Sequence, residues 1–168
     1  GHLVCNHTKN HKDMTKCPKE EMVKNLTDLE KLCEEKTGCA MSKYFRFPEG
    51  RFSEDALACA QELGYQTIFW SFAYADWDND KQPDPERAKK KILENTHNGA
   101  VILLHPTSAT NAAILPDLIR EWKAAGYTFG TLDELTAENV SLSSKKINSM
   151  DMAQVEEYAT TKLGMVKL

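Results

Sequence analysis

A parallel α/β fold is predicted by three features of the sequence. Short β-branched or aromatic runs alternate with helix-length stretches, in the order β-α-β-α-β-α-β-α-β. The connecting stretches are too long for hairpins, so they are right-handed crossovers and the strands they join are parallel. One run, Ala100 to Leu104, is apolar at every position, as a central parallel strand covered on both faces requires. Together these fit an open α/β sheet or part of an α/β barrel.

Each element has its own signal. Leu3 to His7 reads as a short buried strand. Pro18 to Lys36 reads as a helix with Met22, Leu26, Leu29 and Cys33 on one face and Lys and Glu on the other, stopped by Gly38. Tyr44 to Phe47 is an aromatic strand ended by Pro48 and Gly50. Ser53 is placed to N-cap a helix through Leu63, and Gly64 stops it. Tyr65 to Phe72 is a β-branched and aromatic strand, Pro85 to Asn95 a Lys-rich helix, and Ala100 to His105 the apolar strand. Ala112 to Ala125 carries Ile114, Leu115, Leu118, Ile119 and Trp122 on a helical stripe; Gly126 closes it, and Tyr127 to Phe129 resumes a strand. Beyond Leu135 the character changes to a polar stretch and then a short amphipathic helix, Asp151 to Leu163. Residues 1–135 are therefore read as one domain and 136–168 as a linker with an appended helical tail.

Composition narrows the function. The chain has 168 residues, 41% of them hydrophobic, which is enough to build a core without disulfides. With 21 Lys and Arg against 25 Asp and Glu, the net charge of −4 leaves no basic footprint for a phosphate backbone, and no nucleic-acid partner is expected. The Lys89-Lys90-Lys91 run reads as a solvated helix face. No apolar run approaches the roughly 20 residues of a membrane span, so no transmembrane segment is expected in this chain. Gly1 is not an initiator Met and no signal-peptide layout follows it, so the chain is expected to begin inside a longer protein. The five cysteines all lie between positions 5 and 59 with no C-x-x-C pair; Cys33 and Cys59 read as small buried apolar residues.

In a parallel α/β fold the side chains just past the C-terminal strand ends converge on one crevice. Those residues are His7 and His11, Arg46, Asp76 and His105. The four-residue spacing of His7 and His11 puts two imidazoles on one side of a helical turn, as a divalent metal needs, though by spacing alone such a pair is more often a solvated surface pair. His105 reads as a strand-capping core histidine or as a catalytic one. The simplest pairing of Arg46 and Asp76 is a structural ion pair.

These residues sit in strings that resemble a known family. Gly1 to His11, with His7-Thr8 and His11, is similar to the second motif, H-[ST]-x-x-x-H, of the NodB-homology polysaccharide deacetylases, carbohydrate esterase family four. Arg46-Phe47-Pro48-Glu49-Gly50 resembles the family's R-x-P-x-G motif, Asp76-Trp77 its fourth motif, and Leu103-Leu104-His105 its leucine-histidine fifth motif. Phe52-Ser53-Glu54, Phe69-Trp70-Ser71 and Gly126 to Phe129 with Leu132 most resemble the branch that makes muramic δ-lactam in spore cortex. The resemblance runs from Gly1 to about Leu135 and implies an incomplete (β/α) barrel of the NodB-homology type.

It also implies a chemistry. The family hydrolyses N-acetyl groups of peptidoglycan or chitin-type glycans at a divalent metal, zinc foremost with cobalt or manganese as alternatives, and acts at the cell envelope or outside the cell. On that pattern His7 and His11 match metal ligands, and His105 matches the acid that protonates the leaving amine. Arg46 and Asp76 match the residues that buttress the base, while Trp77, Leu103 and Pro48 match the substrate pocket. The family's first motif, T-F-D-[DN]-G, which supplies the general base and a third ligand, does not occur in the sequence. None of Asp13, Asp28, Asp55, Asp78 or Asp80 stands in such a context. The implied partners are thus a glycan and an upstream segment of the same protein. The alternative is a non-catalytic glycan-binding or division-associated module, because Met152 to Leu168 also resembles the C-terminus of FtsL/DivIC-type septal division proteins.

Overall fold

The computed structural model describes residues 2–137. The tail helix expected over 151–163, with its resemblance to division proteins, lies outside the described residues. The chain divides into two compact units, Gly1–Phe69 and Trp70–Leu168.

In the first unit, strands β1 (Tyr44–Phe45) and β2 (Gln66–Thr67) pair in parallel, with Tyr44 opposite Gln66 and Phe45 opposite Thr67. Residues 4–6 join β1, also in parallel: Ser42 N–H donates to Val4 O, Asn6 N–H to Tyr44 O and Arg46 N–H to Asn6 O. This segment is not the buried strand its sequence suggests. Only Asn6 forms a bridge and is buried, while Leu3 and Val4 are 40% and 55% exposed. Their apolar side chains have no complete cover among the described residues.

Helix α1 (Lys19–Thr37) follows Pro18 and ends at Gly38, whose φ of 69° is a left-handed conformation that glycine adopts without a Cβ clash. Met22, Asn25 and Leu26 are its buried residues; Leu29 and Cys33, expected on the same face, are only half-buried. Helix α2 (Glu54–Glu62) opens where Ser53 Oγ accepts the Ala56 N–H at 3.2 Å. Met14, Met22, Leu26, Phe45, Phe47, Ala56, Cys59, Ala60 and Tyr65 form one core. Ser53→Ala leaves that amide without its side-chain partner, and urea unfolding should show a loss of about 1 kcal/mol; an unchanged midpoint would mean that water replaces the cap without cost.

The second unit pairs residues 71–72 in parallel with 101–103, through Ser71 N–H to Val101 O (2.9 Å) and Leu103 N–H to Phe72 O (3.0 Å). Helix α3 (Pro85–Glu94) is capped by Asp84, and helix α4 (Ala109–Ala124) by Ser108. Phe72, Tyr74, Ala88, Ile92, Ile114, Leu118 and Trp122 make its core.

Four further expectations are corrected. Tyr65 to Phe72 is not one strand: pairing stops after Ile68, and its aromatics serve different cores, Tyr65 and Phe69 the first and Phe72 the second. The apolar run 100–105 is half-buried throughout, not covered on both faces, because among the described residues it bridges only to 71–72. Tyr127 to Phe129 forms no strand; the Tyr127 N–H turns back to Trp122 O at 2.9 Å, and Phe129 is 58% exposed. Helix α4 also begins before Ala112, since Ser108 is the residue whose hydroxyl meets the first-turn amide of Asn111.

Candidate functional site

The first unit presents the histidine pair. Asn6, 1% exposed, is fixed on three sides: Nδ2 donates to Leu26 O (3.1 Å) and Tyr65 Oη (2.6 Å), and Oδ1 accepts the Thr8 N–H (2.9 Å). The chain leaves this anchor through Thr8 at φ 65° and His11 at φ 50°, both left-handed. Residues 7–11 are therefore not the helical turn that the four-residue spacing suggests, and the turns of the loop bring the rings together instead. Their centroids lie 4.9 Å apart at an interplanar angle of 79°. Left-handed non-glycine residues carry local strain that the surrounding structure must hold, here beginning with the Asn6 network.

His7 Nδ1 lies 2.6 Å from Arg46 O. A carbonyl only accepts, so Nδ1 carries the proton and, in the neutral ring, Nε2 carries the lone pair. That arrangement, a backbone carbonyl holding one imidazole nitrogen so that the other can coordinate, is how metal-binding histidines are commonly oriented. The donor set thus suits a divalent metal with His7 and His11 as two of its ligands. Among the described residues no group of three or more His, Cys, Asp or Glu could hold a metal ion. Asp13, next along the loop, accepts from the Thr15 hydroxyl and from Arg51, and these contacts, the Thr15 bond foremost, bring its carboxyl down to about 2.

Arg46 continues β1. Its guanidinium is half-buried, and burial lowers its pKa from the usual arginine value. Pro48 is buried and opens a 3₁₀ turn, Pro48–Gly50, that contains Glu49 at φ 55°.

The second unit holds the other expected residues. Asp76 is fully buried and accepts three hydrogen bonds from its own unit: His105 N–H (2.7 Å), His105 Nδ1–H (2.6 Å) and Asn111 Nδ2–H (2.6 Å). The acid-base candidate and its carboxylate are therefore a direct pair within their unit. His105 Nδ1 is committed to Asp76, so Nε2 is the nitrogen left to exchange a proton; the His105 side chain is 28% exposed. Trp77, 63% exposed, sets its ring edge-on to His105 at 6.3 Å, and Leu103, two positions before His105, is half-buried. Asn111 and Tyr74, whose hydroxyl bonds to Asn111 Oδ1, were missed. The available signal was Ser108 three residues before Asn111, a cap pattern that places this asparagine in the first turn of α4.

Residues 1–68 match the polysaccharide deacetylase family model. Over 140 residues the chain is 40% identical to an uncharacterised 30.6 kDa protein of Geobacillus stearothermophilus, covering 83% of this chain and 53% of that one. It is 37% identical over 138 residues to the peptidoglycan-N-acetylmuramic acid deacetylase PdaA of Bacillus subtilis, covering 82% and 52%. The solved structure of PdaA, a family 4 carbohydrate esterase, matches with a TM-score of 0.78 at 36% identity over 83% of this chain and 59% of that one. A family 4 pseudoenzyme from Bacillus anthracis matches with a TM-score of 0.71 at 27% identity over 79% and 45%. The chain spans about half the length of the curated relatives it matches. Over the covered residues its fold is the NodB-type α/β fold the motifs predict, and residues 1–68 are those of a polysaccharide deacetylase, similar to the family 4 carbohydrate esterase PdaA.

Proposed function

We propose that this chain serves metal-dependent hydrolysis of N-acetyl groups on peptidoglycan-type glycan, at N-acetylmuramic acid or N-acetylglucosamine, with the base carboxylate coming from an upstream segment of the same protein. The observation that carries the proposal is the His7 Nδ1 bond to Arg46 O, which presents the other nitrogen of the family's ligand histidine for coordination. The names of PdaA and its relatives support the glycan class, and by the same likeness the site of action is the cell envelope or the outside of the cell. No helix of the described residues is long and apolar enough to cross a membrane.

His7 and His11 would hold the metal, zinc foremost with cobalt or manganese as alternatives, which would supply Lewis-acid polarisation of the acetamide and a water of lowered pKa. The roles of the chain's own residues follow from their bonds. His105, protonated on Nε2 while Nδ1 stays on Asp76, gives its proton to the departing amine, and Asp76 stabilises the imidazolium before that transfer. By the roles their motif counterparts hold in the family, Trp77 and Leu103 would shape the acetyl pocket, Pro48 would belong to the substrate pocket, and Arg46 and Asp76 would support the base. Residues 1–135 would form the deacetylase part, with 136–168 as an appended tail.

Metal binding tests the assignment directly. The purified chain should take up Zn²⁺ weakly in equilibrium dialysis, because a third protein ligand is what ordinarily tightens such a site. The His7→Ala/His11→Ala double variant should lose that uptake; equal uptake by both proteins refutes the ligand assignment. A second reading, a glycan-binding module without catalysis, is favoured by two observations: the sequence has no T-F-D-[DN]-G string, and a family 4 pseudoenzyme is among the structural neighbours. Zinc uptake without acetate release, in a protein that carries its upstream segment, would select that reading.

A further inference from the structure

The hydrogen bonds around Asp76 extend past the two residues the motifs single out. Asn111 Nδ2 donates to Asp76 Oδ2 at 2.6 Å and to His105 O at 3.1 Å, and Asn111 Oδ1 meets the Tyr74 hydroxyl. The amide orientation follows from chemistry. His105 O is a carbonyl and only accepts, so the NH₂ end must face it and Asp76, which leaves the oxygen facing Tyr74 as the acceptor of its O–H. Every polar atom of the Asn111 side chain is thereby used.

The amide itself is held from two sides. Its backbone N–H is bonded to Ser108 Oγ at 3.1 Å in the first turn of α4, and Ser108 Oγ–H in turn donates to Gln82 Oε1 at 2.7 Å. Tyr74 is 7% exposed in the core of the second unit, where its ring stacks on Phe72 at 6.3 Å. Asn111 and Tyr74 are themselves buried, at 5% and 7% exposure, so neither needs to face a substrate to matter.

We propose that Asn111, oriented by Tyr74, is a positioning residue that holds the Asp76 carboxylate and the His105 main chain in one register, so that His105 keeps its proton on Nδ1 and offers Nε2 for proton transfer. The proposal rests on the reading that His105 is the acid of an N-deacetylation; the geometry it invokes does not. Without the Asn111 amide, Asp76 Oδ2 keeps only the His105 N–H, and the carboxylate can rotate away from Nδ1. Among the described residues of its own unit, the groups against the imidazole are Asp76 and the Trp77 ring, and of these two Asp76 is the one that can fix the tautomer.

The test is nitrogen-15 NMR of the histidine side chains in the full 168-residue chain, recorded above the histidine titration range so that the ring is neutral, with the His105 signals assigned by their loss in His105→Gln. The wild-type chain should show His105 mainly as the Nδ1–H tautomer. Asn111→Asp keeps the shape of the side chain, removes its donor and sets a second carboxylate against Asp76, and the Nδ1–H share should fall severalfold. Tyr74→Phe keeps the ring in the core and removes only the hydroxyl that orients the amide, and the share should fall to an intermediate value. If Asn111→Asp does not fold by circular dichroism, Tyr74→Phe decides alone. An unchanged tautomer in the folded variants overturns the proposal. A shift in Asn111→Asp alone supports Asn111 and removes Tyr74 from it. Acetate release that ignores His105, beside a tautomer that responds to Asn111, would refute the catalytic reading and leave the positioning supported.

Discussion

A polypeptide of these 168 residues alone should release acetate from acetylated glycan roughly 10² to 10⁴-fold more slowly than one that also carries a T-F-D-[DN]-G strand ahead of Gly1, the span being what a positioned general base commonly contributes. The reasoning is chemical. An acetamide is a poor electrophile, and the attacking water must lose a proton as it bonds. In the proposed reaction His105, with Nδ1 held by Asp76, takes the opposite part and gives a proton to the amine. Among the described residues no carboxylate completes a three-residue metal group with His7 and His11, and Asp13, two positions beyond His11, is engaged by Thr15 and Arg51. A weakly held metal would deepen the loss. The recovered activity should then fall again in His105→Ala and in the presence of a chelator. Robust, chelator-sensitive acetate release by the 168-residue chain would refute the argument and would assign the base to a carboxylate outside the motifs.

Much of this was legible in the sequence because it is written in local signals. Helices α1 to α4 announce themselves by periodicity and by their ends: Gly38 and Gly126 in left-handed turns, Ser53 as a cap. The motif strings single out His7, His11, Asp76 and His105 as candidates with no knowledge of their contacts. Strands were read too long, since an apolar run such as 100–105 shows that side chains can be covered but not which neighbours cover them. The loop at 7–11 was read as helical because spacing alone does not reveal that Thr8 and His11 adopt positive φ. Long-range polar pairing was the least visible layer. Asp76 and Asn111 are 35 residues apart and Asp76 and His105 are 29 apart, and no periodicity links them.

Asp76→Leu should destabilise the chain by about 3 to 4 kcal/mol, the largest loss expected from a single substitution in the candidate site. Leu keeps the branch at Cγ but sets a bulkier methyl group where each carboxylate oxygen was, so some overpacking adds to the cost of the lost acceptor. Three N–H groups now point at Asp76: the amide and Nδ1 of His105 and Nδ2 of Asn111. A buried donor left without a partner costs about 1 to 3 kcal/mol. The three do not suffer equally. His105 is 28% exposed at its side chain, so its ring can turn toward water, and Asn111 Nδ2 keeps its bond to His105 O. The His105 main-chain amide has no such outlet and carries the largest share. Asp76→Asn retains one carbonyl oxygen and should cost about half as much, while His105→Ala leaves the carboxylate with two donors and should cost about 1 kcal/mol. Because the groups share one network, Asp76→Leu combined with His105→Ala should destabilise by clearly less than the sum of the single changes. Urea unfolding with unchanged m-values is the measurement. Strict additivity, or a loss in Asp76→Leu no larger than that in Asp76→Asn, would show that the carboxylate is not the acceptor that holds His105 in place.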